Sequence, residues 1–352
     1  MNVLIIGPSV ERSKGGTATV IYEHINNPTI NKHNKLRYMA SHVDGSRFEK
    51  AYVLARCLFH ILIYHNKYDI IHIHANSDVS FYRKTVLLRV CRWFNKKTIL
   101  HMHGHDFDSF YRNNKPYLKR YIKNSVSKSN LVIVLSDYWK RFLDSEFANL
   151  RSEILHNGID VKAYQISIKN PTEFTKYLFM GRLGERKGVY DLIKAIDIIV
   201  NQYGRKELKF YLAGDGDLDK VEKIINSQNL ADNVKILGWL NNDDKRKILK
   251  EVETVVLPSY EENLPMALIE AMACGKVIIS TYAGGIPDLV KPDFNGYLFN
   301  AGDIDQLVKY ILFVNENPNI MMPICQNNID TINEKFNLDT LSVKLNSIYR
   351  SL

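Results

Sequence analysis

Short apolar runs alternate with amphipathic stretches along the whole chain. Runs near 2–6, 36–40, 69–74, 98–102, 131–135 and 153–155 are predicted strands. Helical spacing fills the gaps between them, at 17–26, 50–65, 79–94, 116–128 and 137–147. The rhythm then repeats: strands near 177–180, 208–213, 233–237, 254–257, 277–280 and 297–299 are separated by helices near 187–202, 217–229, 243–251, 265–274 and 303–315. Runs such as Ile70-Ile71-His72-Ile73 and Leu131-Val132-Ile133-Val134-Leu135 suit strands buried on both faces. The pattern predicts an α/β fold with two doubly wound parallel sheets. A length of 352 residues suits two cores better than one. Domain boundaries are expected at 1–163 and 164–335, with the aperiodic polar stretch 164–175 as linker.

Composition adds limits. With 45% hydrophobic and 24% charged residues the chain reads as globular. No stretch reaches the roughly 18 unbroken apolar residues of a membrane-spanning helix. The most apolar helix, around Tyr52 to Tyr64, is interrupted by Arg56 and His60. The start, Met1 to Gly7, lacks the basic leader of a signal peptide and reads as a buried strand. Cys57, Cys91, Cys274 and Cys325 form no C-x-x-C pair and are expected as reduced core thiols of a cytoplasmic protein.

Charge is uneven. Residues 1–163 hold 25 Lys and Arg against 13 Asp and Glu, or +12, so the overall +9 leaves −3 for the remainder. A basic first half points to an anionic partner. An anionic membrane surface and a phosphate-bearing acceptor both fit. Nucleic acid is disfavoured, because zinc-finger spacing, RNP-like aromatics and basic repeats are all missing.

Ligands of open parallel sheets bind beyond the carboxyl ends of strands, so loops leaving strands carry the candidate chemistry. The first loop, Gly7 to Thr17, contains Gly15 and Gly16 and opens a helix whose N-terminus suits phosphate. It is neither G-x-G-x-x-G nor a P-loop. The second, Gly181-Arg182-Leu183-Gly184-Glu185-Arg186-Lys187-Gly188, offers Arg182 and Lys187 where a diphosphate would sit. The third, Pro258 to Pro265 with Glu262 and Leu264, runs into a helix that ends at Gly275. Glu270 lies within that helix among Leu268, Ile269, Ala271 and Met272, an odd place for a charge without a partner. The fourth is His101-Met102-His103-Gly104-His105-Asp106. Its i, i+2, i+4 histidines resemble a metal site, but His101 falls in a buried strand, and a polar contact from His103 to substrate is the preferred reading.

The run Glu262-x7-Glu270 with Glu270-Ala271-Met272-Ala273-Cys274-Gly275 resembles the signature of glycosyltransferase family 4. Gly181-Arg182-Leu183-x3-Lys187-Gly188, Ala213-Gly214-Asp215-Gly216 and Gly284-Gly285-Ile286-Pro287 resemble its other motifs. The resemblance covers nearly the whole chain and is strongest between 177 and 300. It implies a GT-B fold, two Rossmann-like domains facing across a cleft, with the last segment, 336–352, crossing back as a helix to the first. It further implies a retaining enzyme without metal or other cofactor, which uses a nucleoside-diphosphate sugar, most often a UDP-sugar, as co-substrate. Gly15, Gly16 and Gly181 would then meet the donor phosphates, and Arg182 and Lys187 would clamp them. Glu262 would bind the donor sugar and Glu270 the ribose, beside Leu264 and Pro265. His103 would reach the sugar near its anomeric carbon. The acceptor would be a glycan or lipid-linked glycan of bacterial surface polysaccharide synthesis. The helix around Tyr117 to Lys123, aromatic and basic, is the candidate contact with an anionic inner membrane face.

Three positions depart from the family pattern. Asn263 replaces a common glycine, Asp288 a frequent Glu, and Asp217 a common proline. Asp215-Gly216-Asp217 imitates a metal-binding Asp-x-Asp, yet Asp217 is expected to cap a helix instead. Two other classes fit the architecture: a nucleotide-sugar epimerase or hydrolase, and a non-catalytic nucleotide-sugar-binding protein. A dehydrogenase fails for want of G-x-G-x-x-G.

Overall fold

The computed structural model describes residues 1–13, 15–164 and 173–352. Its contacts divide into two compact units, Met1–Ile159 with Asn337–Leu352, and Asp160–Phe336. Most of the expected linker lies outside the described residues.

In the first unit β1 (Asn2–Pro8), β2 (Lys35–His42), β3 (Ile70–Ala75), β4 (Lys97–Met102), β5 (Leu131–Val134) and β6 (Ser152–Ile154) form one parallel sheet ordered β2-β1-β3-β4-β5-β6. Around it lie α1 (Gly16–Asn26), α2 (Arg47–Tyr64), α3 (Asp78–Trp93) and α4 (Pro116–Ser127). Successive side chains of a strand face opposite sides of a sheet. Leu4, Ile6, Ile71, Ile73, Leu100 and Val132 therefore share one core with Cys57 and Ile61 of α2 and Leu87, Leu88 and Cys91 of α3. Val3, Ile5, Ile70, Ile99, Leu131 and Ile133 face the other, which is closed by Ile21 of α1 and by the last helix, Leu338–Arg350.

That last helix contributes Leu341, Leu345, Ile348 and Tyr349 to the first unit's core. Each such side chain, fully buried, is worth about 1.5–3 kcal/mol. Asn346 ties the helix down further, accepting from Asn34 at 2.5 Å and donating to the Thr29 carbonyl at 3.0 Å. α2 starts where a capping box fixes it: Ser46 and Glu49 exchange backbone and side-chain hydrogen bonds.

The second unit has β7 (Lys176–Met180), β8 (Lys209–Ala213), β9 (Val234–Gly238), β10 (Thr254–Leu257), β11 (Val277–Thr281) and β12 (Tyr297–Phe299), ordered β12-β11-β10-β7-β8-β9 and again parallel. Its helices include α5 (Val189–Asp197), α6 (Asn242–Glu251) and α7 (Met266–Ala273). The helix expected over 187–202 is regular only in α5, after which Ile198–Gln202 widens into a π turn. Pro265 stands one position outside α7, as its N-cap with an extended ψ of 117°, and the helix closes at Gly275 with φ 63°. Asp217 occupies the N-cap of Leu218–Ser227, but its side chain does not cap the helix. The carboxylate accepts from the Tyr190 hydroxyl at 2.7 Å instead.

Strand order reverses direction between β1 and β3 in one sheet and between β7 and β10 in the other. Loops diverge at such a point and leave a crevice at the carboxyl edge.

Candidate functional site

At the second unit's reversal point the loop leaving β7 meets the loop leaving β10, backbone against backbone. Gly188 has φ 71°, and a Cβ there would stand 2.7 Å from the Pro258 carbonyl carbon. Gly284, after β11, has φ 53° and would place a Cβ 2.8 Å from the Glu262 carbonyl carbon. Neither contact tolerates a side chain. Hydrogen bonds lock the same loops: Tyr260 N donates to Arg186 O and Gly285 N to Asn263 O, each at 2.9 Å.

The charged residues sit on this frame. Glu262, 4% exposed, forms an ion pair with Lys187 and accepts from Ser259 Oγ at 2.8 Å. Arg182 is exposed and makes no ion pair among the described residues. Gly181 lies beside the Lys187 stem. Leu264 is buried and Pro265 leads into α7. The first turn of α7 presents backbone N–H groups that have no acceptor within the helix. Glu270, one turn further and 4% exposed, pairs with Lys245 Nζ of α6 at 2.5 Å. Burial and the nearby Glu270 carboxylate drive the pKa of the Tyr164 hydroxyl well up.

All seven of these predicted residues thus belong to one sheet edge. Two pairings were not foreseen. Lys187 and Glu262, assigned to phosphate and sugar separately, are partners of each other. Glu270 has its partner in Lys245, which the sequence did not single out, because Lys245, Arg246, Lys247 and Lys250 all stand on α6 with nothing to distinguish them. Ser259 was missed as well, since a serine three residues before Glu262 shows no sign in the sequence of bonding to it. A carboxylate has about four lone-pair sites, so Lys245 leaves Glu270 able to accept from hydroxyls as well.

The other predicted residues belong to the first unit. Gly15 is the N-cap of α1 and Gly16 its first residue, both exposed. His103 follows β4, its N–H donating to Ala75 O at 2.8 Å. The i, i+2, i+4 reading fails for His105, which pairs with Asp106 at 3.2 Å. Instead His72 and His74 of β3 join His101, with ligand atoms within 4.8 Å of one another. Such a trio resembles a chelate: the ring of His72 lies 4.5 Å from His74 and 5.3 Å from His101, with interplanar angles of 20° and 15°. The nitrogens are engaged elsewhere: His72 Nδ1 lies 2.8 Å from the Tyr349 hydroxyl, and its Nε2 lies 3.2 Å from His101 Nδ1.

Comparison with known proteins gives the chemistry a family. Residues 12–163 match Glycosyltransferase Family 4, and residues 160–330 match Glycosyl transferases group 1. The chain belongs to these glycosyltransferases. An uncharacterised glycosyltransferase of Methanocaldococcus jannaschii is 28% identical over 66% of this chain and 62% of its own length. The UDP-Gal:alpha-D-GlcNAc-diphosphoundecaprenol alpha-1,3-galactosyltransferase of Escherichia coli is 29% identical over 51% of this chain and 50% of its own. The glycosyltransferase here thus spans only about half to three fifths of the length of these relatives. The structure of HepE from Anabaena in complex with UDP-glucose superposes with a TM-score of 0.79 at 20% identity, covering 100% of both chains. That likeness is one of fold, GT-B. No helix among the described residues is long and apolar enough to cross a membrane, and all four cysteines are free and buried.

Proposed function

We propose that this glycosyltransferase moves a sugar, a hexose by preference, from a UDP-sugar to a hydroxyl of a glycan or lipid-linked glycan, with retention of anomeric configuration. The observation that carries the reading is the pair of buried carboxylates, Glu262 and Glu270, each held by a lysine, the first between the loops leaving β7 and β10 and the second between α6 and α7. Burying a carboxylate beside an ammonium is expensive unless the pair serves something. A ligand with a diphosphate and vicinal hydroxyls uses both kinds of group. The UDP-glucose complex of HepE and the UDP-Gal donor of the Escherichia coli relative support UDP. The diphosphoundecaprenol in the relative's name supports a lipid-linked acceptor in bacterial polysaccharide synthesis.

In this mechanism Arg182, Lys187 and the N–H groups of α7 stabilise the diphosphate as it gains charge on leaving. Gly15, Gly16 and Gly181 meet the phosphates, Leu264 and Pro265 flank them, Glu270 accepts from the ribose, and Glu262 from the sugar. His103 contacts the sugar near its anomeric carbon. The departing β-phosphate oxygen takes the acceptor's proton on the face it leaves, so the C–O bond to the acceptor forms as the C–O bond to phosphate breaks. No protein base and no metal enter the step.

A peripheral contact with the inner membrane face belongs to the same reading, through a different helix from the one first expected. α4 turns Ile122 and Val126 into the core, because its apolar residues follow the i, i+4 spacing of a face packed inward. α2 leaves Phe48, Tyr52, Phe59 and Ile63 at 50–89% exposure along one face, beside exposed Arg47 and Arg56. Apolar anchors flanked by cations suit an anionic bilayer surface.

The test is thermal stabilisation of the purified protein by UDP, GDP, ADP, CMP and NAD, then by sugar derivatives of the best nucleotide. A ligand at a hundredfold excess over its Kd should add about 2.7 kcal/mol. Stabilisation by UDP that disappears in Glu270→Ala is the expected result. No response to any nucleotide, or to NAD alone, defeats the reading.

A further inference from the structure

Five histidines gather on one face of the first sheet. His72 and His74 come from β3, His101 from β4 and His103 from the residue after it, and His24 from α1. Four are buried to 4% exposure or less, and His103 is half-buried at the strand's mouth. Burial keeps them neutral: His24 is lowered to about 4 and His103 to about 3, and the other three lie well below the ordinary value. A neutral imidazole has one N–H and one bare nitrogen. The hydrogen bonds of the cluster can therefore be counted proton by proton.

Tyr349 of the last helix is fully buried, and among the described residues its hydroxyl meets only His72 Nδ1, at 2.8 Å. A buried phenol donates when an acceptor is present. His72 then carries its proton on Nε2 and donates to His101 Nδ1 at 3.2 Å, which puts the His101 proton on Nε2, where it goes unmet among the described residues because three proton-bearing groups share only two hydrogen bonds. Both rings are committed to that chain.

His74 stands apart from it. Its Nδ1 lies 2.9 Å from His103 Nε2, the two ring planes 17° apart. Its Nε2 is buried with no partner among the described residues. An unmet buried N–H is rarer than an unmet acceptor, so the bare nitrogen of His74 is Nε2 and its proton is on Nδ1. His74 donates, and His103 Nε2 accepts.

We propose that His74 is a positioning residue for His103, holding it in the Nδ1–H form so that it meets the substrate as a hydrogen-bond donor. The proposal rests on the reading that His103 touches the transferred sugar. His74 itself touches nothing that reacts. It orients the ring and selects its tautomer, as hydrogen-bond partners of functional histidines do.

The experiment compares His74→Leu, His74→Asn and His103→Ala by steady-state transfer assays and by nitrogen-15 imidazole spectra. Asn offers an N–H near the position of Nδ1, whereas Leu fills the space without one. His74→Leu should lower kcat about 10–100-fold, the loss typical of a partner that orients a functional imidazole, with the donor KM within about twofold. His74→Asn should recover most of the rate, and the spectra should show His103 as Nδ1–H in wild type and in His74→Asn but not in His74→Leu. Unchanged kcat in His74→Leu, or equal losses in both variants at equal Tm, overturns the proposal. So does a wild-type spectrum in which His103 carries its proton on Nε2. Full activity in His103→Ala removes the role of His103 while the spectra still report on its pairing with His74, so the two failures are separable.

Discussion

The Lys187 ammonium, on the loop leaving β7, and the Glu262 carboxylate, on the loop leaving β10, form one ion pair although 75 residues separate them. Both side chains are largely withdrawn from water, at 16% and 6% exposure. The pair spans the point where strand order reverses, so it fastens together the two loops that the proposed function assigns to the donor.

Removing one member should therefore have two effects. Lys187→Met leaves Glu262 buried with Ser259 alone, and a stranded buried charge costs about 3–5 kcal/mol at full burial. With Lys187 partly exposed, a loss of about 2–3 kcal/mol is expected, read as a fall of several degrees in Tm. Transfer should drop with it by about two orders of magnitude. An unchanged Tm would show that the pair does not hold the loops.

Arg182 separates chemistry from stability. It is exposed and without an ion-pair partner among the described residues, so Arg182→Ala should leave Tm within about 1 °C. Its kcat should fall about a hundredfold, equivalent to about 3 kcal/mol of transition-state stabilisation. Transfer at the wild-type rate would take Arg182 out of the mechanism.

The neutral histidine cluster makes stability depend on pH. His24 binds a proton with a pKa of about 4 when folded, against the ordinary 6.5. The unfolded chain thus holds more protons than the folded one between these values, and stability must fall as pH drops through that window. From pH 7 to pH 5 His24 alone removes about 2 kcal/mol. His72, His74 and His101 act in the same direction. Tm measured in buffers of constant ionic strength should be flat above pH 7 and decline steeply below 6.5, and a flat profile down to pH 5 would contradict the neutral cluster.

Flotation with vesicles tests α2. The protein should float with vesicles rich in anionic phospholipid at low salt, and Phe59→Asp with Ile63→Asp should abolish it. Because both side chains are at least half exposed, the double variant should keep its Tm. Equal flotation of the variant, or none by the wild type, ends the membrane reading.

The strands, the two sheets and the loops worth inspecting were legible in the chain, because apolar periodicity and glycine placement are local properties of sequence. Gly181, Arg182, Lys187, Glu262 and Glu270 stood out through their spacing along single loops and one helix. Partners were not legible. Lys245 reaches Glu270 only because α6 and α7 lie together, and Lys187 reaches Glu262 only because β7 and β10 are neighbours in a sheet whose order departs from chain order. The histidines show the same division. His101, His103 and His105 lie close in sequence, but β3 lies beside β4, so His74 pairs with His103 and His105 turns to Asp106. α2 and α4 show it for surfaces, since an amphipathic pattern marks an apolar face without saying what covers it. Spacing along a chain determines which residues share a face. Which faces meet is a long-range matter of packing, and only the folded chain decides it.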